Sequence, residues 1–471
     1  KSAELSDFVE AGDAPGWFHE SIASSLRIRH VSAVRKSTLK ILGRGLENRD
    51  WASKYAVSLC ALAAMPEHPA NSSFLTQRYM SYEMCERDAE WGVGSYFLDD
   101  FPQFRHLLRQ FSSDCSERNF ERLFLASQML TWLLGSPNRY LRDISSKALA
   151  GVWAQCPAVN LKILKIFSEC DDPYIIERML TCSYGALLQG ASSLRSQQSE
   201  VVRFVSDHFR GAAEFDVLAR DSIRGIFAWA RKLLGFTEDE LPDYGGVLGL
   251  TLPEAPLSEE ELESSYGALR KSGNLLRRRA SSILLSALPN WGDFSVKTIK
   301  GDIHHFQHFA DGHRTLRLID ETSSEKKLSA DNLYEFSCRW VAQKAISLGW
   351  TEERFEEFET AFDFSNGRTS HKRERFGKKY QWIAHRELLA RLCDNLYLDI
   401  TGSGREWAVS EGAWDFLLRD LDPSLPISYK RDDEWVCLLG KAKSNSEIQL
   451  EIRRPTLGKQ TSEQDLSLIH I

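Results

Sequence analysis

Four histidines in one short stretch are the side chains in this chain best suited to bind a metal ion. They are His304, His305, His308 and His313. On a helix, His304 and His308 would share a face because they are four residues apart, and a carboxylate such as Asp302 or Asp311 would complete a zinc-like set. A metal-dependent hydrolase centred on His304, His305 and His308 is the enzymatic hypothesis. The alternative is a set of hydrogen-bonded histidines on an amphipathic helix, since no distant ligand with a defined spacing accompanies them.

A basic and aromatic segment at residues 368–382 is the second candidate, and the one best suited to bind a partner. Its candidate binding residues are Arg368, Lys372, Arg373, Arg375, Lys378, Lys379, Tyr380 and Trp382. Clustered cations beside aromatic rings can bind phosphates and stack on a base, which predicts nucleic-acid binding. The same cations could instead bind an acidic protein surface. They could also pair inside the molecule with the acidic run at residues 352–359.

The remaining charged and glycine-rich stretches do not form a catalytic set. Thr351 precedes the acidic run as a helix N-cap, and phenylalanines at helical spacing predict that the run is an amphipathic helix with a solvated face. The glycine–lysine pairs lack the earlier glycine and the Ser/Thr of a phosphate-binding loop, and no HExxH or GxSxG pattern occurs. We therefore predict no catalytic residue and no cofactor site in this chain.

The elements that would position these residues are helices. Leucines 388, 389, 392 and 396 recur at helical spacing and predict a buried stripe, with Arg386, Glu387 and Arg391 off it. From residue 17 to residue 236, apolar residues recur every three or four positions, with glycine and proline mainly at breaks. The sequence predicts an all-α fold.

Several of these helices open in the same way, with a charged pair followed by small residues and a leucine. The copies are Tyr140–Asp143, Ile175–Arg178 and Leu218–Asp221, with looser copies at Arg49–Trp51 and Arg277–Leu285. The arginines 142, 178 and 220 are 36 and 42 residues apart, near the length of a HEAT or armadillo helix pair. We expect a HEAT/armadillo/TPR-like superhelix in which the charged pair bridges adjacent repeats.

Composition shifts divide the chain into predicted segments. Residues 1–240 are expected to form the repeat array, and the proline- and glycine-rich residues 241–257 a linker. Ser258 with Glu261 predicts a capping box that opens a second helical region, residues 258–425. Residues 426–465 are expected to hold a small β element, with strands near Trp435–Leu439 and Ile448–Ile452.

Composition also limits the class of protein. The net charge of −7 over 471 residues argues against a globally basic nucleic-acid binder. No run of about 18 apolar residues predicts a membrane span. The nine cysteines are scattered, without a CxxC pair, and predict buried free thiols in a reducing cytoplasm.

Both ends of the sequence are typical of a fragment of a longer protein. The chain opens on Lys1, and Leu466–Ile471 is the hexapeptide that a transposase-based sequencing adapter encodes in frame. We expect residues 466–471 to be read-through and the natural protein to continue beyond them.

Four phrases resemble the C-terminal region of large bacterial anti-phage STAND NTPases of the AVAST type. They are Leu348–Phe355, Glu374–Ile383 with Glu387–Leu392, Trp414–Leu425, and Asp171–Tyr174 with Glu177 and Arg178. The phrases spread over residues 80 to 425. His385–Arg386 departs from the resemblance, since a less polar step is expected there, and residues 294–309 diverge.

The resemblance implies a non-catalytic sensor: a helical-repeat region that recognises a phage protein such as the packaging terminase or the portal. It also implies an NTPase upstream that binds ATP and magnesium, an effector, and self-oligomerisation of the full-length protein. The scaffold hypothesis places the protein partner on the concave face of the array. The alternative is a nucleic-acid-binding repeat protein that uses residues 368–382.

Overall fold

The described part of the chain is mainly helical. The computed structural model describes residues 16–437, apart from residues 110, 112–116, 214, 243, 245–246, 267, 273–274, 280–281, 290–291, 311, 320–332, 356, 360–372, 419–420, 423–427 and 432–433. The predicted all-α helical-repeat class is confirmed, with small β elements added.

The helices fall into two groups along the chain. The first group is α1 Gly16–Leu26, α2 Lys36–Glu47, α3 Arg49–Leu62, α4 Ser72–Tyr79, α5 Met84–Arg87, α6 Val93–Ser95, α7 Pro102–Arg109, α8 Glu117–Leu133, α9 Arg139–Gln155, α10 Pro157–Phe167, α11 Pro173–Gln189, α12 Arg195–Ala213 and α13 Val217–Leu234. The second group is α14 Glu259–Tyr266, α15 Ser282–Ala287, α16 Lys300–Ile303, α17 Leu333–Ser347 and α18 Phe376–Cys393. A π-helical turn, Asp88–Gly92, joins α5 to α6.

Helices α8 to α13 stack as two layers. The inner layer consists of α9, α11 and α13 side by side, and it is the layer that α18 crosses. The outer layer consists of α8, α10 and α12. Each helix also contacts its neighbour in sequence, so every pair covers an apolar face that it could not bury alone.

The three inner-layer helices start in the same way. Each begins directly after an Asn or Asp whose side chain accepts a hydrogen bond from the first turn: Asn138, Asp172 and Asp216. The predicted charged pairs follow within the first two turns, four and five residues after Asn138 and Asp216 and five and six residues after Asp172. Arg178 of α11 lies 3.5 Å from Asp143 of α9, which confirms that the charged pair bridges adjacent repeats.

Two hydrophobic cores accompany the two groups of helices. The first core runs from Phe18 to Tyr244. The second gathers residues from 262 to 416, together with Met84, Cys85, Tyr96, Tyr174 and Val217 of the array. Because the array supplies side chains to the second core, the two groups share one packed interface. The predicted capping box at the start of α14 is confirmed, with the Ser258 N–H donating to Glu261 Oε2 at 2.8 Å.

Short β hairpins interrupt the second group. The strands are β1 Ala268–Ser272, β2 Leu275–Arg279, β3 His308–Ala310, β4 His313–Thr315, β5 Leu398–Asp399, β6 Trp407–Ala408, β7 Ser428–Arg431 and β8 Glu434–Cys437. Each pairs antiparallel with its neighbour in sequence. Within the second helical region predicted for residues 258–425, the pairs β1–β2, β3–β4 and β5–β6 form hairpins where helix was expected. The looser repeat copy at Arg277–Leu285 is also wrong, because β2 occupies its first residues.

The predicted C-terminal β element is confirmed in part. Strand β8 overlaps the predicted strand at Trp435–Leu439, but its partner is β7, with Tyr429 opposite Val436. The predicted strand Ile448–Ile452 lies outside the described residues, as does the segment 466–471. Beyond residue 437, the predicted boundaries stay predictions.

The described residues test two predictions from composition, on membrane-spanning helices and on free cysteines. Among the described residues, no helix combines the length and apolar character that crossing a membrane requires. Cysteines 60, 85, 170, 182, 338 and 393 are buried free thiols, as predicted. Cys156 is disulfide-bonded, so the prediction of free thiols throughout is wrong at that position.

Replacing Gly45 with alanine should destabilise the array by about 1–3 kcal/mol, because the new methyl group would overpack the α2–α3 contact. A Cβ at Gly45 would lie 2.6 Å from Cζ of Tyr55 and nearer still to the ring edge. Tyr55 cannot swing away, since it is fully buried and its hydroxyl lies 3.0 Å from His19 Nδ1. The shift in the urea midpoint measures the effect.

Gly211 provides the matched control. It is helical and exposed, and a Cβ there meets nothing within 4 Å. Gly211→Ala should be neutral or stabilising by up to about 1 kcal/mol, from helix propensity alone. Equal effects of the two substitutions would contradict the close approach of α2 and α3.

Candidate functional site: a buried ion-pair network along α18

Helix α18 carries most of the basic segment and is buried on nearly every side. The predicted leucine stripe is confirmed, since Leu388, Leu389, Leu392 and Leu396 are fully buried. The residues expected to lie off the stripe are not all solvated, because Arg386 and Glu387 are buried as well. The stripe packs in the second core, and the opposite, charged side of α18 faces the inner layer.

The centre of this charged side is Lys379. Its ammonium Nζ lies 2.8 Å from Asp88 Oδ1 and 2.7 Å from Asp172 Oδ2, and the side chain has no solvent exposure. The hydroxyl of Tyr380 donates to Asp88 Oδ2 at 3.0 Å. Asp172 also accepts a hydrogen bond from the Tyr174 N–H as the N-cap of α11. One ammonium therefore joins α18 to the π-helical turn and to the start of α11.

Burial and neighbouring charges shift the pKa values of Asp88 and Lys379 in opposite directions. Burial raises the pKa of Asp88 to about 6, although Lys379 lowers it. Burial alone would lower the pKa of Lys379, but the attraction of Asp172 and Asp88 outweighs it, so that pKa is raised. Lys379 is therefore charged at neutral pH and is held by its two carboxylates.

Two turns further along α18, Arg386 repeats the arrangement at the next repeat. Its Nη1 lies 3.2 Å from Glu177 Oε2 of α11 and 3.8 Å from Asp216 Oδ2, the N-cap of α13. Burial raises the pKa of Asp216, and Arg386 opposes that shift. The position that departs from the family resemblance is thus a buried contact between α18 and the array.

Tyr174 lies at the middle of the network. Its ring centroid is 4.8 Å from the Arg142 guanidinium, 5.0 Å from that of Arg386 and 5.8 Å from the Lys379 ammonium. Cations at these distances interact favourably with an aromatic face. Tyr174 belongs to the phrase Asp171–Tyr174, so the sequence resemblance included it without indicating this role.

The C-terminal end of α18 is fixed by Asp394. Arg220 of α13 binds it through two nitrogens, at 2.7 and 3.1 Å. Asp394 also accepts the Leu250 N–H at 2.9 Å, and the Asn395 amide donates to the Leu250 carbonyl at 2.6 Å. The predicted linker is therefore fastened to the same end of α18.

The other described candidates of the basic segment also have partners inside the molecule. Arg373 lies 2.9 Å from Asp99 and 2.6 Å from Asp100. Lys378, partly exposed, lies 2.6 Å from Asp293.

Trp382 packs edge-to-face on Phe294, with ring centroids 5.0 Å apart. Arg375 is half-buried at the N-cap of α18. Arg368 and Lys372 lie outside the described residues.

The expectation that Lys379 and Tyr380 contact an external partner therefore needs correction. Both side chains are fully buried, so a partner could reach them only if α18 moved away from the array. Internal pairing, one of the alternatives, is observed for Arg373, Lys378 and Lys379. Their carboxylates come from Asp88, Asp99, Asp100, Asp172 and Asp293 rather than from residues 352–359. Glu359 instead accepts the Gly377 N–H at 2.8 Å.

The candidate histidines do not lie together on one face of a helix, as the metal-site hypothesis requires. His304 and His305 lie in a 3₁₀ turn, and His308 begins strand β3, so His304 and His308 do not share a helical face. His308 contacts Thr315 at 2.8 Å, and its ring packs on Trp407. Within the described residues, no group of three or more His, Cys, Asp or Glu side chains could hold a metal ion.

A small cavity adjoins the network. Its lining includes Asp88, Asp172, Trp91 and Arg87, and it has room for about one water molecule (≈ 10 Å³). This cavity is too small to hold a nucleotide or an organic substrate. The arrangement of charges is suited to holding helices in register.

The carboxylates of the network were missed by reasoning from the sequence. Asp88, Asp216 and Asp394 belong to no motif of their own, and Asp172 was part of the phrase Asp171–Tyr174 without an assigned role. The usable signal was an Asn or Asp four or five residues before each repeated charged pair, which is the N-cap position of an inner-layer helix.

Comparison of the chain with protein-family models, with curated proteins and with solved structures finds no match. The contacts within the chain are therefore the basis on which its function is proposed.

Replacing Lys379 with methionine should destabilise the protein by about 3–5 kcal/mol, because two buried carboxylates lose their cation. The loss should be smaller at pH 5 than at pH 7.5. A raised carboxyl pKa means that the folded state binds more protons than the unfolded state between about pH 4 and that pKa, so stability increases as the pH falls through this window. Without Lys379, the pKa of Asp88 rises above its value of about 6, so the dependence of stability on pH becomes stronger in the variant than in the wild type. Urea unfolding at both pH values measures it.

The adjacent Lys378 is the matched control. Its side chain is 25% exposed and its partner Asp293 is 41% exposed. Lys378→Met should cost less than about 1 kcal/mol, as partly exposed ion pairs do, with little dependence on pH in this range. Similar losses for the two lysines would show that the buried network does not carry the stability ascribed to it.

Proposed function

We propose that this chain is the non-catalytic, protein-recognition region of a larger bacterial anti-phage defence NTPase, and that it binds a phage protein through its helical-repeat surface. The observation that carries the proposal is the two-layer array braced by α18. A repeat array of this kind presents an extended surface, and a buried network fixes the spacing of its helices. Pre-organised surfaces bind partners at a lower entropic cost.

The surface available for docking is the outer layer, α8, α10 and α12. The inner layer is less accessible, since α18 packs against α11 and α13. On α12, the residues Glu200, Arg203 and Asp207 are exposed on one face, while Val201, Val202 and Val205 are fully buried on the other. We place the partner on this outer layer rather than against α18.

The family resemblance supplies the rest of the proposal. ATP and magnesium would bind an NTPase upstream, an effector would precede it, and the full-length protein would self-oligomerise in the cytoplasm when the phage terminase or portal is bound. The chain itself would then not be an enzyme. The rival function, nucleic-acid binding through residues 368–382, has less support, because Arg373, Lys378 and Lys379 are held by carboxylates of the same chain.

A pull-down with the large terminase subunit and with the portal protein of several phages tests the proposal. We expect one of them to be retained by the chain. Reversing the α12 face with Glu200→Lys, Arg203→Glu and Asp207→Lys should weaken that binding at least about tenfold, since charge complementarity at an interface would be inverted. Affinity is measured by biolayer interferometry.

A triple variant with the same charge changes elsewhere is the control. Glu67, Glu254 and Lys297 are exposed and lie away from α12. Glu67→Lys, Glu254→Lys and Lys297→Glu should leave binding unchanged. Failure to capture either phage protein would remove the family-specific proposal, and equal weakening by both triple variants would remove the outer layer as the docking surface.

A further inference from the structure

The sequence between Ser21 and Leu46 is a strongly one-sided charged stretch. It contains six Lys and Arg residues and no Asp or Glu, within a chain whose net charge is −7. Four of the six form the N-terminal basic patch: Arg27, Arg29, Arg35 and Lys36. All four are exposed. Lys40 and Arg44 follow on α2 but have other contacts, so the patch does not depend on them.

The four cations lie at one end of a helix pair. Arg27 and Arg29 follow the C-terminus of α1, where their N–H groups donate to the Ser24 and Ser25 carbonyls at 3.4 and 3.0 Å. A 3₁₀ turn, Val31–Ala33, leads to Arg35 and Lys36 at the start of α2. Because α1 and α2 both pack on α3 and the four cations lie in or beside the connection between them, all four residues are at the same edge of the array.

The patch is not neutralised by the surrounding described residues. No acidic residue occupies the first turn of α2, and within the part of the chain that the structure describes, no carboxylate pairs with any of the four cations. This contrasts with Arg373 and Lys379, each of which contacts two carboxylates. Like charges clustered in one connection repel one another, and an anionic ligand would relieve that repulsion.

The chemistry of the patch favours phosphate over other anions. Three of the four cations are guanidinium groups, whose planar fork matches phosphate oxygens. A protein interface usually has an apolar centre made of several side chains. In this connection the large apolar side chain exposed to solvent is Ile28, at 86%, and one such side chain does not form an apolar centre. Trp17, also exposed, lies at the opposite end of α1. A membrane-binding surface would need a broader apolar face.

We propose that the N-terminal basic patch binds the phosphodiester backbone of duplex nucleic acid without reading its sequence. This surface is separate from the outer layer assigned to the phage protein and from the buried cations of α18. The two functions can therefore fail independently.

Fluorescence anisotropy with a fluorescein-labelled DNA duplex of about 20 base pairs tests the proposal on the full chain. Four phosphate contacts predict an affinity that falls roughly 100-fold between about 50 and 200 mM NaCl. The variant with Arg27, Arg29, Arg35 and Lys36 all changed to glutamine should lose measurable binding at the lower salt concentration, with an unchanged circular dichroism melting curve.

A second quadruple variant separates the patch from overall charge. Arg122, Lys165, Lys297 and Lys300 are exposed cations outside the patch, and changing all four to glutamine alters the net charge by the same amount. This control should retain wild-type affinity. The proposal is overturned if the wild-type chain does not bind the duplex at the lower salt concentration, or if both variants lose binding equally. It is also overturned if the patch binds phosphatidylserine vesicles or polyglutamate but not DNA.

Discussion

A lysine ammonium buried between two aspartates is the constraint on which this structure most depends. Lys379 has no exposure to solvent, and desolvating a charge costs several kcal/mol unless paired groups replace the water. Asp88 and Asp172 provide that replacement, and they belong to two different elements of the array. Helix α18 can therefore occupy its place only when the π-helical turn and the start of α11 are both in position. The contact makes the fold of one group of helices conditional on the other.

The same requirement recurs along α18 and fixes its register. Lys379 meets the N-cap of α11, Arg386 reaches the N-cap of α13, and Asp394 binds Arg220 one turn into α13. Sliding α18 by one turn would separate each of these charges from its partner. Polar pairs of this kind can contribute less to stability than to the choice of a single arrangement. For a region proposed to recognise a protein, a single arrangement of the array is what keeps the docking surface constant.

The network also explains why the repeats resemble one another. An Asn or Asp before each inner-layer helix caps that helix, and in α11 and α13 the same carboxylate faces a cation of α18. Asn138 of α9 differs, since its amide donates to the Tyr96 carbonyl at 2.7 Å and to Asp99 at 2.8 Å. Asp99 in turn pairs with Arg373, and Arg373 also forms an antiparallel backbone bridge with Asn138, so the start of α9 is joined to the basic segment as well. The repeated pattern in the sequence is thus partly a record of what α18 requires.

Local features of the chain were determined by the sequence alone. The spacing of apolar residues predicts the helices and the Leu388–Leu396 stripe, and Ser258 with Glu261 predicts the capping box, because each depends on residues within one or two turns. The tertiary structure decided where the charges point. The cations at 373–379 resemble a binding patch in sequence, yet the carboxylates that hold them lie up to 291 positions away in the chain. The cations at 27–36 are less conspicuous but remain exposed. A local sequence pattern cannot predict pairing between charges that are distant in the chain, because such pairing depends on which helices pack together. The burial of the two hydrophobic cores as a whole decides which helices pack together.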